Sequence, residues 1–235
     1  MPAASPLTDP PVASVAETIQ RLQAIQSHLA ADDGLRHFNR MYVEVTEAFQ
    51  QRVGAGFFQD PPFMERLDVV FANLYFAATR LSVLDPSATP RAWAPLFDAR
   101  HRPGILPLQF AIAGMNAHIN FDLPRALVET CRVLGTTPDA GSHYRDFRKV
   151  DEILAEIEPK VRDELEQEFP LDDRELEHLR NVLEIWSITR ARQAAWDQSE
   201  LLWWLRGNAV LTASHTEVLD RFVGFAGRGL LIPLI

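Results

Sequence analysis

The chain has 235 residues, enough for one large domain or two small ones. Hydrophobic residues make up 47% of it and charged residues 23%, which is ordinary globular usage. Its formal net charge of −9 argues against nucleic acid and against anionic membrane surfaces as partners, because both attract basic proteins. The single cysteine, Cys131, excludes an internal disulfide and a cysteine-based metal cluster.

Residues 1–12 are rich in proline and small side chains, a composition typical of a disordered tail. They lack the basic region and apolar run of a secretory signal, and we therefore expect a cytoplasmic protein. We find no apolar stretch that approaches the ~18 residues needed to span a membrane. The sequence thus predicts a cytoplasmic protein without a membrane-spanning segment.

Helical periodicity follows this tail. Apolar residues at three- and four-residue spacing predict helices over 13–31 and 34–53. Asp60 caps the next predicted helix, because two prolines suited to a first helical turn come directly after it. That helix is predicted to run to about Leu81.

Prolines mark the middle of the chain. Thr89-Pro90 starts a short predicted helix through "RAWAPLFDAR", and "RPG" at 102–104 ends it. Pro107 opens the following helix, and Pro124 kinks or restarts it. The resulting segment is predicted to end near Leu134.

Two long helices are predicted in the C-terminal half. One runs over 142–169 with a kink at Pro159. The other begins at a cap formed by Asp172 or Asp173 and ends near Gly207.

The C-terminal sequence "SHTE" at 214–217 has the pattern of a capping box and predicts a final helix. The last residues, "GLLIPLI", are expected to pack on the core, and a homodimer contact is the alternative. Neither alternating strands nor internal repeats are found. We therefore predict one all-α domain over 13–235, a helical bundle of about eight helices.

The helix that Pro107 opens is apolar, yet it carries hydrogen-bonding side chains at every second position: Asn116, His118, Asn120 and Asp122. At 3.6 residues per turn, the two asparagines share one face. His118 and Asp122 share a nearly opposite face. All four can line one site only if the helix distorts near Pro124.

His118 and Asp122 are the candidate catalytic pair. A carboxylate one turn from a histidine orients and charges its ring, which suits acid–base chemistry. The same spacing offers two ligands to a metal ion. The structural alternative is that these polar groups hydrogen-bond within the fold, with Asp122 capping the helix that restarts at Pro124.

The sequence "GMNAHIN" followed by "DLP", with "ITRARQAAW" later in the chain, resembles a bacterial family of unknown function. The likeness covers most of the chain after the N-terminal tail. It implies a helical fold and carries no activity or residue roles.

The spacing H-x-x-x-D of His118 and Asp122 is also similar to a ligand helix of zinc-dependent phospholipases C and of the single-strand nucleases built like them. Those enzymes are all-α, and the resemblance implies a divalent metal. They use several further histidines at tight spacing. Here the other histidines stand alone in the sequence: His28, His37, His101, His143, His178 and His215.

Other residues could complete a ligand site. Arg192 lies one turn before Trp196 on an amphipathic stripe and could pair with a buried carboxylate or hold an anionic group. The alternative is an arginine that reaches the surface past apolar neighbours. Tyr42 offers a polar tip on a core-packing stripe. Gly114 costs roughly 1 kcal/mol relative to alanine in a helix, which indicates close approach of a ligand or of another helix.

Three hypotheses follow. The first is an enzyme acting on a small, partly apolar metabolite, with His118 as base or acid, Asp122 as its orienting group and Arg192 stabilising negative charge. Hydrolysis, isomerisation and cyclisation remain open, and Gly114, Asn116, Asn120, Tyr42 and Trp196 would bind the ligand. The second is a metal-dependent hydrolase in which His118 and Asp122 are ligands. The third is a non-catalytic ligand-binding or structural protein.

Overall fold

The structure, a computed structural model, describes residues 5–168 and 187–233. Over these ranges the chain forms helices and no strand. The helices are α1 Val15–His28, α2 Leu35–Gly54, α3 Pro61–Leu84, α4 Ala94–Ala99, α5 Pro107–Ala117, α6 Leu123–Leu134, α7 His143–Glu168, α8 Ile188–Leu205 and α9 Ala209–Leu230. A π-helical turn, His118–Asp122, joins α5 to α6, and a short 3₁₀ turn, Pro86–Ala88, follows α3.

The prediction of an all-α bundle is confirmed. Counted with its π turn, α5–α6 is one continuous helix, which gives eight helices over the described ranges. This helix is central to the bundle: α5 packs against α2 and α9, and α6 packs against α3 and α8. Helix α1 packs on the outer side of this group, against α2 and α3.

The start of α3 follows from its sequence. The Asp60 carboxylate accepts a hydrogen bond from the backbone N–H of Phe63 at 3.1 Å, and Pro61 occupies the first helical position. This satisfies a backbone donor that has no partner inside the helix. The predicted cap at Asp60 is therefore confirmed, although α3 extends to Leu84.

The N-terminal residues 5–12, predicted to be a disordered tail, instead pack along α1 and α3. Leu7 is buried. Val12 exchanges two backbone hydrogen bonds with the side-chain amide of Asn73, at 2.8 and 2.9 Å. Arg21 of α1 donates to the carbonyl of Pro10 at 2.9 Å. Side chains of α1 and α3 thus bond to the backbone of this segment and hold it against the bundle.

Helix α3 bears on the prediction that no apolar stretch is long enough to span a membrane. It is the one described helix that is long and apolar enough to cross a membrane by length and composition, with a mean hydropathy of 1.4. A core helix passes the same test, so this is weak evidence for a span. Within the bundle, α3 contacts α1, α6 and α7.

The predicted long helix ending near Gly207 is shorter than expected. Its proposed cap, Asp172 or Asp173, lies outside the described residues. The described helix α8 begins at Ile188, because Ser187 has an extended backbone and its hydroxyl accepts from the N–H of Arg190.

The last helix begins earlier than the "SHTE" pattern predicts. Asn208 caps α9 by accepting from the N–H groups of Val210 and Leu211, both at 3.1 Å. The "SHTE" residues 214–217 therefore lie inside α9. The chain after α9 packs on the core as expected, since Leu231 is buried and Gln109 donates to the carbonyls of Leu230 and Ile232.

Candidate functional site

The junction between α5 and α6 is distorted where the polar residues lie. Over His118–Asp122 the backbone forms a π turn, and the N–H of Leu123 donates to the carbonyl of His118. Pro124 has no N–H to offer to the helix, so a wider turn is accommodated there. Single π turns inside α-helices are frequent at functional sites.

The distortion does not bring the four polar side chains together. Asn120 donates its side-chain N–H to the amide oxygen of Asn116 at 3.1 Å. Asn116 in turn donates to the carbonyl of Val223 in α9 at 3.0 Å. The two asparagines therefore join the central helix to α9, and His118 and Asp122 form a separate pair.

His118 and Asp122 are both buried, with 3% and 1% of their side chains exposed. Nδ1 of His118 lies 3.1 Å from Oδ2 of Asp122. The same oxygen accepts the indole N–H of Trp93 at 2.9 Å, and Oδ1 faces Arg125 at 3.3 Å. Because a carboxylate only accepts, this geometry places the ring proton on Nδ1 and leaves the lone pair on Nε2.

Aromatic rings surround the imidazole. Phe71 lies parallel to it with ring centroids 3.5 Å apart, and Tyr42 meets it edge-on at 4.8 Å. Burial among these rings lowers the pKa of His118 below its usual value, and the hydrogen bond and charge of Asp122 oppose that shift. The ring is therefore neutral at pH 7, with Nε2 available as a base.

His118 is one of the residues that line a cavity of about 100 Å³. Its walls come from α2, α3, the α5–α6 helix, α7 and α8, and they are mostly apolar. Among the described residues that line this cavity, three carry a buried polar atom with no hydrogen-bond partner: Tyr42 Oη, Asp68 Oδ2 and His118 Nε2.

The phenol of Tyr42 is protonated at neutral pH, and so is the carboxyl of Asp68 in a large fraction of molecules. Burial raises the pKa of Asp68 to about 7, so its carboxyl is a proton donor in a large fraction of molecules. The pKa of Tyr42 is raised well above its usual value, chiefly by burial and then by the charges of Asp68 and Asp122. The cavity thus combines a neutral base with a carboxylic acid and a phenol.

Arg192 lines the cavity, but its guanidinium is bonded to groups on α7. Its Nε donates to Asp151 at 2.7 Å, and another guanidinium N–H donates to the carbonyl of Phe147 at 2.6 Å. Its guanidinium also lies 4.2 Å over the Phe147 ring. Arg192 therefore forms the buried ion pair that the sequence suggested, and it fixes α8 to α7.

Two further ligand candidates lie outside the cavity. Trp196 is buried, with its ring 4.9 Å from both Tyr144 and Phe147. At Gly114, an added Cβ would lie 2.3 Å from Cγ of Phe38. The close approach at this glycine is therefore made by helix α2, and Gly114 is not open to a ligand.

The sequence alone did not identify two residues of the site, Asp68 and Trp93. Asp68 is a charged residue in the long, apolar helix α3. That contrast is the signal that could have identified it. Trp93 carries no comparable signal, because its contact with Asp122 joins positions 29 apart.

A shared metal site at His118 and Asp122 is not favoured by the geometry. Nδ1 and the carboxylate bond to each other, and the free atom Nε2 points away from Asp122. Among the described residues, no group of three or more His, Cys, Asp or Glu side chains is placed to hold a metal ion.

One comparison with known proteins gives a match. The model of a family of unknown function, DUF5995, matches residues 15–233. Neither a curated protein nor a solved structure matches the chain.

Proposed function

We propose that this chain, which belongs to the DUF5995 family of unknown function, is an enzyme that moves a proton within a small metabolite held in the cavity. His118 is the base, Asp122 orients it, and Asp68 is the acid. Tyr42 hydrogen-bonds the substrate. The reaction that this set of groups supports best is isomerisation of a neutral carbonyl compound.

The observation that carries this proposal is that three residues lining one cavity, Tyr42, Asp68 and His118, each carry a buried polar atom without a hydrogen-bond partner. Leaving a buried polar group unpaired costs ~1–3 kcal/mol. Asn39 and Asn116, which serve the architecture of the bundle, are paired with the carbonyls of Leu22 and Val223. The hydroxyls of Thr89 and Thr130, outside the cavity, also have no partner. The cavity groups differ because three of them belong to residues that line the same space, and a ligand that hydrogen-bonds to them would remove the cost.

The chemistry can be written as a balanced proton transfer. Nε2 of His118 removes a proton from the carbon next to the substrate carbonyl, and the imidazolium that forms is stabilised by Asp122. The protonated carboxyl of Asp68 donates its proton to the carbonyl oxygen, which gives an enol. His118 then returns its proton to a different carbon of the enol, and the enol hydroxyl returns its proton to Asp68. The product is an isomer, and both side chains regain their starting protonation states.

The cavity also limits the size and the charge of the substrate. Apolar cavities of ~150 Å³ take up molecules the size of benzene, so a space of about 100 Å³ suits a compound of only a few heavy atoms. Arg192 is the one arginine or lysine among the described residues that line the cavity, and its positive charge is already neutralised by Asp151. The cavity therefore favours an uncharged substrate over a carboxylate or phosphate.

Deuterium labelling tests the proposal even while the substrate is unidentified. The protein is incubated in D₂O with a small-molecule extract of cells, and mass shifts of +1 are sought by mass spectrometry. We expect at least one neutral compound to be labelled by the wild-type protein and not by His118→Ala. Asn120→Ala, outside the cavity, is the matched control and should label as the wild type does.

Two outcomes would overturn the proposal. One is labelling that is equal with the wild type and with His118→Ala. The other is a compound that co-purifies with the protein, is displaced from it only on unfolding, and is never labelled. The cavity would then be a binding site without catalysis.

A further inference from the structure

Helix α9 exposes large apolar side chains on the face turned away from the bundle. They are exposed by 48, 62, 70 and 71% at Leu211, Val218, Phe222 and Phe225. The buried face of the same helix is formed by Val223, Gly224 and Gly227. At 100° per residue these two sets lie on opposite sides of the helix, so we define the four exposed residues as the α9 stripe.

We propose that the α9 stripe is the interface of a homodimer, in which α9 packs against α9 of a second copy. Single exposed apolar residues are normal on protein surfaces, but four large ones along one face of a helix mark an interaction site. This surface is separate from the cavity groups, and the inference does not rest on the proposed function.

The spacing of the stripe specifies the shape of its partner. Leu211, Val218 and Phe225 are separated by seven residues each, and Phe222 lies one turn from both Val218 and Phe225. Rows at this spacing pack against another helix with the same apolar repeat. A second copy presents that repeat automatically, and a two-fold axis across the stripe pairs each surface with itself.

The exposed area approaches what a stable dimer requires. Large aromatic side chains bury ~150–250 Å² each, so the stripe offers on the order of 500 Å². The patch continues onto α8: His215, beside the stripe, is bonded to Gln198 at 2.7 Å, one turn before Leu201. Leu201 and Trp204 are exposed by 39 and 77%. Together these surfaces reach roughly the 800 Å² per partner of a standard interface.

Charge favours a second copy over a membrane surface. Arg221, at the edge of the stripe, is paired with Glu217 on the same helix. Helix α9 has no lysine, and the whole chain has a net charge of −9. Anionic lipid headgroups would be repelled by this charge, whereas the stripe itself brings no unpaired charge against its own copy.

Light scattering coupled to gel filtration tests the dimer with the full chain. At tens of micromolar we expect a mass twice the 26.6 kDa of one chain. Phe222→Ser with Phe225→Ser should shift the protein to the monomer mass and weaken association at least ~100-fold. The matched control is Val133→Ser with Leu134→Ser, which changes two residues exposed by 50 and 43% at the end of α6. It should remain dimeric.

Val218→Arg provides a second variant, because it places like charges across the dimer axis while keeping α9 helical. Far-UV circular dichroism checks that each variant is folded. A wild-type protein that stays monomeric at 100 μM would overturn the inference. So would dimers of both stripe variants with wild-type affinity. Sedimentation of monomeric wild type with anionic phosphatidylglycerol vesicles would assign the stripe to a membrane instead.

Discussion

Trp93 donates its indole N–H to Oδ2 of Asp122 across 2.9 Å, and the same oxygen faces Nδ1 of His118. Trp93 is fully buried and directly precedes α4, far from His118 in the chain. Two donors on one oxygen keep the carboxylate in a fixed orientation. The base at Nε2 therefore depends on a contact between separate elements of the bundle.

Asp122→Asn should slow the proposed reaction without unfolding the protein. Trp93 and His118 both bond to Oδ2, so the Asn oxygen can take that place and accept from both, while its N–H₂ group faces Arg125. The ring keeps its proton on Nδ1, but the negative charge that stabilises the imidazolium is lost. We expect the rate of deuterium labelling to fall on the order of 10-fold or more, because a hydrogen bond to a charged group contributes ~1.5–3 kcal/mol and one between neutral groups about 1 kcal/mol. Nitrogen-15 spectra of the histidine ring will report whether the tautomer is retained.

Trp93→Phe is the control for this prediction. It keeps an aromatic ring in the core and removes only the indole donor, so His118 retains its hydrogen bond to Asp122. Labelling should fall by roughly fivefold, the effect of one hydrogen bond worth ~1 kcal/mol. Labelling by Asp122→Asn at the wild-type rate would contradict the role of Asp122.

Asp68 should set the alkaline limit of activity. The proposed reaction needs neutral His118 and protonated Asp68, so the rate should fall as pH rises through the pKa of Asp68 at about 7. It should also fall in acid, where His118 becomes protonated below its usual range. Asp68→Asn should lower the rate and abolish the alkaline limb. The measurement is the initial labelling rate between pH 5 and pH 9.

The same carboxyl affects stability in a defined direction. Its pKa rises from an ordinary value of 3.8 to about 7 in the fold, so the folded state binds the proton more tightly than the unfolded chain. Its contribution is fully present below about pH 4 and is lost as pH rises to about 7. Asp68→Asn should therefore gain stability relative to wild type between pH 5 and pH 8, by on the order of 1–3 kcal/mol. A difference that is independent of pH would show that Asp68 is not buried as described.

Much of the bundle was predictable because local signals mark its helices. The cap at Asp60 and the proline at position 107 are such signals, and α3 and α5 begin where they predict. At α9, by contrast, two capping patterns compete within ten residues, and the structure uses Asn208. The choice depends on how the α8–α9 turn packs, which a local pattern does not contain.

The site was only half predictable for a related reason. His118 and Asp122 are four residues apart, so helical spacing alone brings them together. Asp68 and Tyr42 reach the same cavity from α3 and α2, and their convergence depends on how three helices pack. The expected distortion near Pro124 occurs, yet Asn120 remains bonded to Asn116, and Asn116 to the Val223 carbonyl of α9.

Gly114→Ala should destabilise the protein even though alanine is the better helix former. An added Cβ meets Phe38 at 2.3 Å from Cγ, an atom near the base of the side chain that cannot move freely. Overpacking of this kind costs ~1–3 kcal/mol, which exceeds the roughly 1 kcal/mol gained in helix propensity. Gly54→Ala is the control, because nothing lies within 4 Å of its added Cβ. Urea unfolding should show that variant to be as stable as wild type or more so.

We expect Asn116 and Asn120 to stabilise the fold and to have no part in the proposed reaction. Asn116→Ala removes the donor to the Val223 carbonyl and the acceptor for Asn120. An unpaired buried carbonyl typically costs ~1–3 kcal/mol, so the midpoint of urea unfolding should fall. Deuterium labelling by the folded variant should remain at the wild-type rate, because neither asparagine lines the cavity. His118→Ala should differ in that labelling is lost, and it should also lower stability, because it removes the Nδ1 hydrogen bond to Asp122 and the ring stacked on Phe71. If Asn116→Ala abolishes labelling while keeping its stability, the asparagines belong to the reacting site and the division of this helix into two faces is wrong.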